Sequence, residues 1–407
     1  MAASREGREE GLNLGGKVFA PGVPALDILI ETKEPVDEND YQSLSGEQAF
    51  ELFKKALLDP GSNTQAALGG AENNTCDTLD GIGTPCFTGT EGVIDIEQIK
   101  GGIKCYHENG ITLEEKKSFL ADMKEIFDNP KNKIVFSICN EEDRKFHVKQ
   151  VTESAIPLQL TESHLRDCKA FMFTLFALKD VAGSLEEETE ASKQEECLAI
   201  FGQVLSHAKT HEKPVFVSLS NPVFVPQYKD FVMAAAESLG DKLHVFGNDS
   251  EMKLLCDVEF DRSSANFFVT NGANPTKVFR DGQSHEYANS ETLSGDQFVD
   301  GTGNGDAFMA GVMSVLLQHE CDVSKVGVLE KAMEIGHLAG LLSAKTRGAR
   351  LSEDNKEMLR NELSIDKPGC AVADSAAAVV FVPKGCEAAP PPSDCLVTGS
   401  QVLSRAV

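Results

Sequence analysis

The chain has 407 residues, and 41% of them are hydrophobic, so we expect one large α/β domain or two smaller ones with a sizeable core. A formal net charge of −26 argues against a protein that binds the phosphate backbone of nucleic acid, because such proteins carry basic patches. An anionic substrate would have to be held by local groups and metal ions. No apolar run is long enough to span a bilayer, so no membrane partner is expected.

The cysteines and the two ends of the chain bear on location and domain limits. The 11 cysteines are scattered, without a C-x-x-C pair and in an odd number, which favours a reducing compartment over a disulfide framework. Residues 1–16, MAASREGREEGLNLGG, lack the apolar segment of a signal peptide and are expected to be flexible, so the cytosol is the expected location. Residues 365–407 are rich in Ala, Pro and Ser, which predicts a low-complexity tail.

Between these ends, residues 17–364 alternate predicted strands and helices. KVFAPGVPALDILIET reads as a strand interrupted by turn residues, and GEQAFELFKKALLD as a helix with Ser45 as its N-cap. Four apolar runs of strand length follow: KAFMFTLFAL, KPVFVSLS, DKLHVFG and NFFVTNG. Helical patterns such as PQYKDFVMAAAESLG lie between them. This alternation predicts a mainly parallel sheet that is covered on both faces.

One segment breaks the alternation. KIVFSICNEEDRKFHVKQV predicts two strands joined by a polar turn, which is the pattern of an antiparallel hairpin. A hairpin inside an α/β chain suggests a small appended lid. LEEKKSFLADMKEIF, which precedes it, is a predicted helical insertion, and the acidic residues 183–196 are a predicted exposed insertion.

A run of alternating glycines, VDGTGNGDAF at 299–308, is the first candidate for a functional site. The apolar residues after it recur at helical spacing, so residues 301–305 are predicted to form a loop that leads into a helix near Asp306. The N–H groups at such a helix start have no intrahelical partner, and glycines let an anion approach them closely. On these residues alone, Asp306 is either a reactive carboxylate beside an anion site or a helix N-cap.

The same run is similar to the signature of the PfkB (ribokinase-like) carbohydrate kinases, D-T-x-G-A-G-D-x-F. The resemblance implies that Asp306 is the catalytic base and that the backbone of Gly303, Asn304 and Gly305 forms an anion hole for the transferred phosphoryl group. Two positions depart from the signature, because Gly301 replaces the usual Thr and Asn304 replaces the usual Ala.

Further segments resemble that family in the right order, from about Lys17 to Arg350. ALGGAENNT resembles an early G-G-x-x-x-N motif, and GNDSE supplies an N-x-x-E motif. The first motif implies a sugar pocket lined by Gly69, Gly70 and Asn74. The second implies that Asn248 and Glu251 act on the magnesium–phosphate shell, Glu251 through water. VTNGA and RGAR imply contacts with the nucleotide from four residues: Thr270, Gly272, Gly348 and Ala349.

Two segments resemble the adenosine-kinase branch of the family. GVPALDILIE implies that Asp27 contacts the ribose hydroxyls, and EEDRKF implies a lid strand whose Arg144 balances phosphate charge. The T-G that is usual before this arginine is absent. From the residues alone, Asp27 could instead end a strand, Arg144 could be a solvated charge, and Glu251 could be a first-turn helix acid.

The resemblance implies a ribokinase-like α/β fold, with a central, mostly parallel sheet flanked by helices and a small β-lid from parts of about 28–45 and 105–160. It implies ATP-dependent transfer of the γ-phosphoryl group to a primary hydroxyl, with Mg²⁺ as cofactor and adenosine as the preferred acceptor. The alternatives are a pentose or hexose kinase of the same family, and a catalytically weak relative that binds a nucleoside or nucleotide. The expected partners are ATP and a small-molecule acceptor, in a monomer or homodimer.

Overall fold

The computed structural model of the chain describes residues 16–21, 25–33, 36, 42–87, 96–107, 112–140, 144–149, 162–184, 190–255, 264–289, 291–293, 297–325 and 327–364. All of them lie within one compact unit that ends at Ile365. The predicted flexible N-terminus, apart from Gly16, and the predicted tail at 365–407 lie outside the described residues.

The larger of two sheets has eight strands in the order β13-β12-β11-β10-β9-β8-β1-β5. They are β1 (Val18–Phe19), β5 (Cys86–Phe87), β8 (Ala170–Thr174), β9 (Val215–Ser218), β10 (Leu243–Asn248), β11 (Asn266–Asn271), β12 (Asn274–Arg280) and β13 (Gln283–Tyr287). The pairings from β5 to β11 are parallel, and the two outermost, β11–β12 and β12–β13, are antiparallel. The predicted fold class, with its mostly parallel sheet, is confirmed.

Helices cover both faces of this sheet. In β8, Phe171 and Phe173 pack into one apolar core while Ala170 and Met172 pack into another, because side chains alternate along a strand. The first core contains α5 (Glu162–Asp167), α6 (Leu175–Ser184), α7 (Glu190–Thr210), α8 (Val225–Leu239) and α9 (Asp249–Leu255). The second contains α2 (Ala71–Gly81), α10 (Asn304–Gln318), α11 (Val328–Ala344) and α12 (Glu353–Ser364). No described helix has the length and apolar character needed to cross a membrane.

The smaller sheet has five strands in the order β3-β7-β6-β2-β4. They are β2 (Ala25–Glu31), β3 (Gln42–Leu44), β4 (Asn63–Gly69), β6 (Lys133–Cys139) and β7 (Arg144–Lys149), packed with α1 (Gly46–Leu58), α3 (Ile96–His107) and α4 (Leu113–Asp128) over a third core. The predicted hairpin is confirmed as the antiparallel pair β6–β7. Ser45 caps α1 as predicted, in a capping box with Gln48. This sheet includes β4 and the start of β2, which lie outside the ranges predicted for the lid.

Three local predictions differ from the structure. KVFAPGVPALDILIET does not form one interrupted strand, because its two halves join different sheets as β1 and β2. The run KAFMFTLFAL ends its strand at Thr174, and Leu175 begins α6. The predicted exposed insertion at 183–196 includes the end of α6 and the start of α7, with residues 185–189 outside the described part.

The cysteines also differ from the expectation of reduced thiols. Cys76 on α2 and Cys86 on β5 form a disulfide, with their Cα atoms 5.4 Å apart. The chain turns back between α2 and β5, which brings together two residues that are ten positions apart. Spacing alone did not indicate this pair, since it does not follow a C-x-x-C pattern.

The contact between α10 and α11 yields a prediction about stability. A Cβ on Gly311 would lie 2.7 Å from the carbonyl oxygen of Ile335, so Gly311→Ala should lower the free energy of unfolding by about 1–3 kcal/mol. The control is Gly202→Ala in α7, where no described atom lies within 4 Å of the new Cβ and the change should add up to about 1 kcal/mol. Chemical denaturation of the two variants measures both effects. Equal effects would show that the two helices are not in close backbone contact.

Candidate active site

Helix α10 begins in an unusual way that leaves its N-terminus open. Its N-cap is Gly303, whose φ of 75° lies in the left-handed region, and no described side chain caps the helix. A Cβ on Gly303 would lie 2.5 Å from the carbonyl oxygen of Ala349. The first-turn N–H groups, including those of Gly305 and Asp306, have no intrahelical acceptor and stand at the positive end of the helix dipole. The predicted glycine loop before a helix is confirmed, but the helix begins at Asn304, so Asn304 and Gly305 belong to its first turn and not to the loop.

The loop before α10 is held by Asp300, which is buried. Its Oδ1 accepts hydrogen bonds from the backbone N–H of Thr302 at 2.8 Å and from the Thr302 hydroxyl at 2.7 Å, and its Oδ2 accepts one from the N–H of Gly348 at 2.9 Å. We did not predict this role. The available signal in the sequence was the spacing of Asp300 and Thr302, because an aspartate side chain often accepts a hydrogen bond from the backbone N–H two residues later.

Asp306 lies in the first turn of α10, and Gly303, not Asp306, is the N-cap. Its Oδ2 accepts a hydrogen bond from Nδ2 of Asn74 on α2 at 3.1 Å. The pKa of Asp306 is raised to about 7, chiefly by burial and also by the nearby carboxylates of Glu72, Asp27 and Glu251, against the lowering effect of the Asn74 bond. The side chain keeps some accessible surface although it is largely withdrawn from bulk water. This combination suits a group that exchanges protons near neutral pH.

Asp306 lines a first cavity of about 460 Å³, which lies where several parallel strands of the large sheet end. In α/β proteins this edge of the sheet is the usual place for a ligand. Part of the cavity wall comes from the small sheet, through β2, β6 and β7. Nine of the predicted site residues line it: Asp27, Gly70, Asn74, Asn248, Glu251, Thr270, Gly303, Gly305 and Asp306.

Asp27, on β2, explains the glycine that precedes α2. A Cβ on Gly69 would lie 1.7 Å from Oδ2 of Asp27, so only glycine fits beside this carboxylate. Oδ1 of Asp27 is buried and has no hydrogen-bond partner among the described residues. Burial raises the pKa of Asp27 to about 7, while the positive charges of Lys133 and Arg350 act in the opposite direction. A buried acceptor without a partner, on the wall of a cavity, indicates a ligand that donates hydrogen bonds.

Glu251 and Asn248 are bonded to each other at the start of α9. The N–H of Asn248 donates to Oε2 of Glu251 at 2.8 Å, and the N–H of Glu251 donates to Oδ1 of Asn248 at 2.9 Å. Burial raises the pKa of Glu251 to about 7. The residue is a first-turn helix acid and also lines the first cavity.

Over the described ranges, no three His, Cys, Asp or Glu side chains are grouped so that they could hold a metal. Magnesium in phosphoryl-transfer sites is held through one or two carboxylates, waters and substrate phosphates. Glu251 and Asp306, two carboxylates on the wall of one cavity, fit that sparse type of site.

A second cavity, of about 360 Å³, adjoins the first. Thr270, Gly305 and Phe308 line both cavities, so they mark the junction. Gly272 and Asn304 line the second cavity, together with His337, which is hydrogen-bonded to Thr276 at 2.9 Å.

The two departures from the family signature lie near each other at this junction. Gly301 lines the first cavity and Asn304 the second. Nδ2 of Asn304 is 4.0 Å from the place that a Cβ on Gly301 would occupy. In the described part of the chain, Asn304 is therefore a residue of the second cavity and not of the first.

Four predicted site residues are not placed in the cavities. Gly69 lines neither cavity in the described part of the chain and lies against the carboxylate of Asp27. Gly348 and Ala349 line neither cavity in the described part of the chain. Instead, Gly348 donates to Asp300, and Ala349 packs against Gly303. Arg144 begins β7, and its side chain lies outside the described residues, so its role stays a prediction.

A buried ion pair in the first cavity was missed by sequence reasoning. Nζ of Lys133 lies 2.7 Å from Oδ2 of Asp180, and both side chains are almost fully buried. The ammonium also lies 4.8 Å from the centre of the Phe176 ring, and both Lys133 and Phe176 line the cavity. Nearby, Glu72 is buried and accepts a hydrogen bond from the hydroxyl of Thr174. A lysine at the start of an apolar strand looks like an ordinary flanking charge, so the sequence carried no signal.

Known proteins resemble this chain in sequence and in fold. Residues 192–356 match the model of the pfkB family carbohydrate kinases, which confirms the predicted resemblance over the part that contains Asn248, Glu251 and Asp306. No curated protein matches the sequence significantly.

Three solved structures show the shared fold at low sequence identity. The adenosine kinase from Sinorhizobium meliloti has a TM-score of 0.61 and 16% identity, covering 85% of this chain and 98% of its own. The adenosine kinase from Schistosoma mansoni in complex with 2-fluoroadenosine has a TM-score of 0.57 and 17% identity, covering 84% and 98%. The fructokinase with bound ATP from Xylella fastidiosa has a TM-score of 0.55 and 13% identity, covering 86% and 100%.

The raised pKa of Asp306 predicts how stability depends on pH. A carboxyl whose pKa rises from 3.8 to about 7 on folding binds its proton more tightly in the folded state. Its contribution to stability is therefore complete below its unfolded pKa and is lost as the pH rises through its folded pKa. Asp306→Asn should raise the melting temperature at pH 8, and the gain should shrink towards pH 4.

The control for this measurement is Asp354→Asn, an exposed first-turn acid of α12, which should shift the melting temperature by similar amounts at both pH values. Calorimetric scans of the two variants and the wild type at pH 4 and pH 8 make the comparison. A gain for Asp306→Asn that is the same at both pH values would mean that its carboxyl is not a buried charge.

Proposed function

We propose that this chain is an ATP-dependent kinase that transfers the γ-phosphoryl group to the primary hydroxyl of a nucleoside, with adenosine as the preferred acceptor. The match to a kinase family model supports a phosphotransferase. The observation that carries the proposal is the position of Asp306. It is a carboxylate with a pKa of about 7, at an open helix N-terminus, beside the junction of two cavities. Phosphoryl transfer between two bound molecules needs such a base between two adjoining sites.

The first cavity suits the acceptor. Oδ1 of Asp27, which lacks a partner among the described residues, would accept hydrogen bonds from the ribose hydroxyls. Asp306 would take the proton of the attacking hydroxyl, and Asn74 holds its carboxylate in place through the bond to Oδ2. The proton then stays on Asp306 until the product leaves.

The open N-terminus of α10 suits the transferred phosphoryl group. Its N–H groups and the helix dipole would stabilise the negative charge that is spread over the phosphoryl oxygens in the transition state. Glycine at 303 and 305 leaves the backbone accessible on the cavity wall. Magnesium, held by water and phosphate oxygens with Glu251 beside it, would neutralise further charge on this group.

The second cavity suits the nucleotide. Its wall includes the apolar side chains of Leu293, Phe298, Leu338 and Leu341, which can pack against a flat base. It meets the first cavity at Gly305, so a nucleotide there would direct its phosphates towards the helix start. The adenosine kinase from Anopheles gambiae, solved with P1,P4-di(adenosine-5) tetraphosphate, has a TM-score of 0.57 to this chain at 17% identity.

A sugar kinase is the second candidate, because the fructokinase from Xylella fastidiosa shares the fold. The walls of the first cavity favour the nucleoside. Phe146, Val148 and Phe176 give it an apolar surface that a bare sugar would not use and that a purine base would cover. A catalytically weak binder would have no need for a positioned base such as Asp306.

Asp306→Asn should lower kcat by about 10²–10⁴ while ATP affinity holds, because the amide keeps the shape of the carboxylate but cannot accept the proton. Initial rates of ADP formation with adenosine as acceptor measure the effect. Asp354→Asn is the matched control and should keep the wild-type rate. A variant at 306 that stays active to within a few-fold would remove Asp306 from the base role.

Asp27→Asn should raise the KM for adenosine about 10–100-fold and leave the KM for ATP nearly unchanged. Hydrogen bonds to a charged group contribute about 1.5–3 kcal/mol, and the amide loses that charge while still fitting against Gly69. Steady-state kinetics with each substrate varied in turn separate the two constants. If ribose or fructose outperforms adenosine in the wild type, the assignment of Asp27 to a nucleoside ribose is wrong.

A further inference from the structure

Lys133, which lines the first cavity, forms a buried ion pair with Asp180, and the proposed mechanism does not use this pair. Lys133 is 2% exposed, which is rare for a lysine, and its ammonium is held by Oδ2 of Asp180 at 2.7 Å and by the face of Phe176. Oδ1 of Asp180 is buried and has no hydrogen-bond partner among the described residues. The contacts with Asp180 and Phe176 therefore both hold the ammonium of Lys133 in place.

The position of Lys133 relates it to Asp27. The two residues lie on neighbouring parallel strands, where β2 pairs with β6 and Ala25 lies opposite Lys133. Because side chains alternate along a strand, Asp27, two residues after Ala25, lies on the same face of the sheet as Lys133. Both residues line the first cavity. The small sheet thus places the ammonium of Lys133 on the same face as Asp27, the carboxylate that is proposed to bind the acceptor.

The charges around Asp27 come from several elements. Lys133 on β6 and Arg350, which follows α11, favour its ionised form, and Asp306 on α10 is a repelling carboxylate. Arg350 is itself paired with Asp77 of α2, with Nη1 3.3 Å from Oδ1. Burial disfavours the ionised form and outweighs both cations. The protonation state of Asp27 in the physiological pH range therefore depends on whether Lys133 is charged and in place.

We propose that Lys133 is a positioning residue for the acceptor: its ammonium, anchored by Asp180 and Phe176, keeps Asp27 in the form that accepts two hydroxyl hydrogen bonds and so sets the pH range in which a polyhydroxylated acceptor binds. This inference rests on the proposed function, since it assigns the first cavity to an acceptor with neighbouring hydroxyls. A protonated Asp27 would have to donate through one oxygen, and it would lose the charge that makes its contacts strong.

The test needs a variant that removes the ammonium without leaving a lone buried charge. Lys133→Met alone would leave Asp180 uncompensated and could unfold the protein. The double variant Lys133→Met, Asp180→Leu removes both charges and keeps apolar volume in their place. The matched control is Lys149→Met, which removes another buried lysine. The ammonium of Lys149 donates to the backbone carbonyl oxygens of Asn129 and Asn132, and Lys149 is not among the described residues that line the first cavity.

The measurement is the affinity for adenosine by titration calorimetry from pH 5 to pH 9, in the full chain without ATP. Wild-type affinity should rise with pH as Asp27 ionises and then level off. In the double variant the rise should move up by about one pH unit, with binding about fivefold weaker at pH 7 and close to wild type at pH 9. Lys149→Met should keep the wild-type profile.

Two results would overturn the proposal: a folded double variant whose profile overlays that of the wild type, or one that loses affinity equally at every pH, as a merely structural role would give. Failure of the proposed function looks different. Adenosine that binds with the expected pH profile but is not phosphorylated in the presence of ATP would reject the kinase activity and leave the role of Lys133 supported. Adenosine that does not bind to the wild type would reject both.

Discussion

The backbone of Gly303 is pressed against Ala349, in a left-handed conformation in which a Cβ would lie 2.5 Å from a carbonyl oxygen. This contact fixes where α10 begins, and therefore where its free N–H groups and Asp306 point. Asp300 ties the two segments together by accepting from Thr302 on one side and from Gly348 on the other. Gly348 and Ala349, which were predicted to contact the nucleotide, thus support the start of α10.

A second constraint is the crowding of carboxylates around this helix start. Asp27, Glu251 and Asp306 each have a pKa raised to about 7, chiefly by burial. The nearby carboxylate of Glu72 also raises the pKa of Asp306. Like charges in a site of low dielectric constant disfavour full ionisation. Cations, hydroxyl donors and a proton from the acceptor are the species that relieve this repulsion. The site therefore favours a cation and an acceptor with hydroxyl donors, and the proposed magnesium would offset the charge of a bound phosphate.

The sequence predicted the fold class, the hairpin, the capped helix α1 and the glycine loop before α10, because each depends on local patterns of period, caps and turns. It also singled out nine residues that converge on one cavity, by their resemblance to ordered family motifs. It missed Lys133, Asp180 and Glu72, which become a cluster only when β6, α6 and α2 meet in space. Each of these residues pairs with one that is far away in the sequence. A single charged residue in an apolar stretch forms no recurring pattern from which such a pair could be predicted. The split of KVFAPGVPALDILIET between two sheets was missed for the same reason, since strand partners are a tertiary property.

We propose that the two adjoining cavities carry phosphoryl transfer from ATP to an alcohol. The most direct measurement follows ADP formation with a panel of nucleosides and free sugars, with the phosphorylated product identified by ³¹P NMR. We expect ADP to form only when an acceptor is present, with adenosine as the best acceptor and the new phosphate ester on its primary hydroxyl. ADP formation at the same rate without any acceptor, or none with any member of the panel, would contradict it.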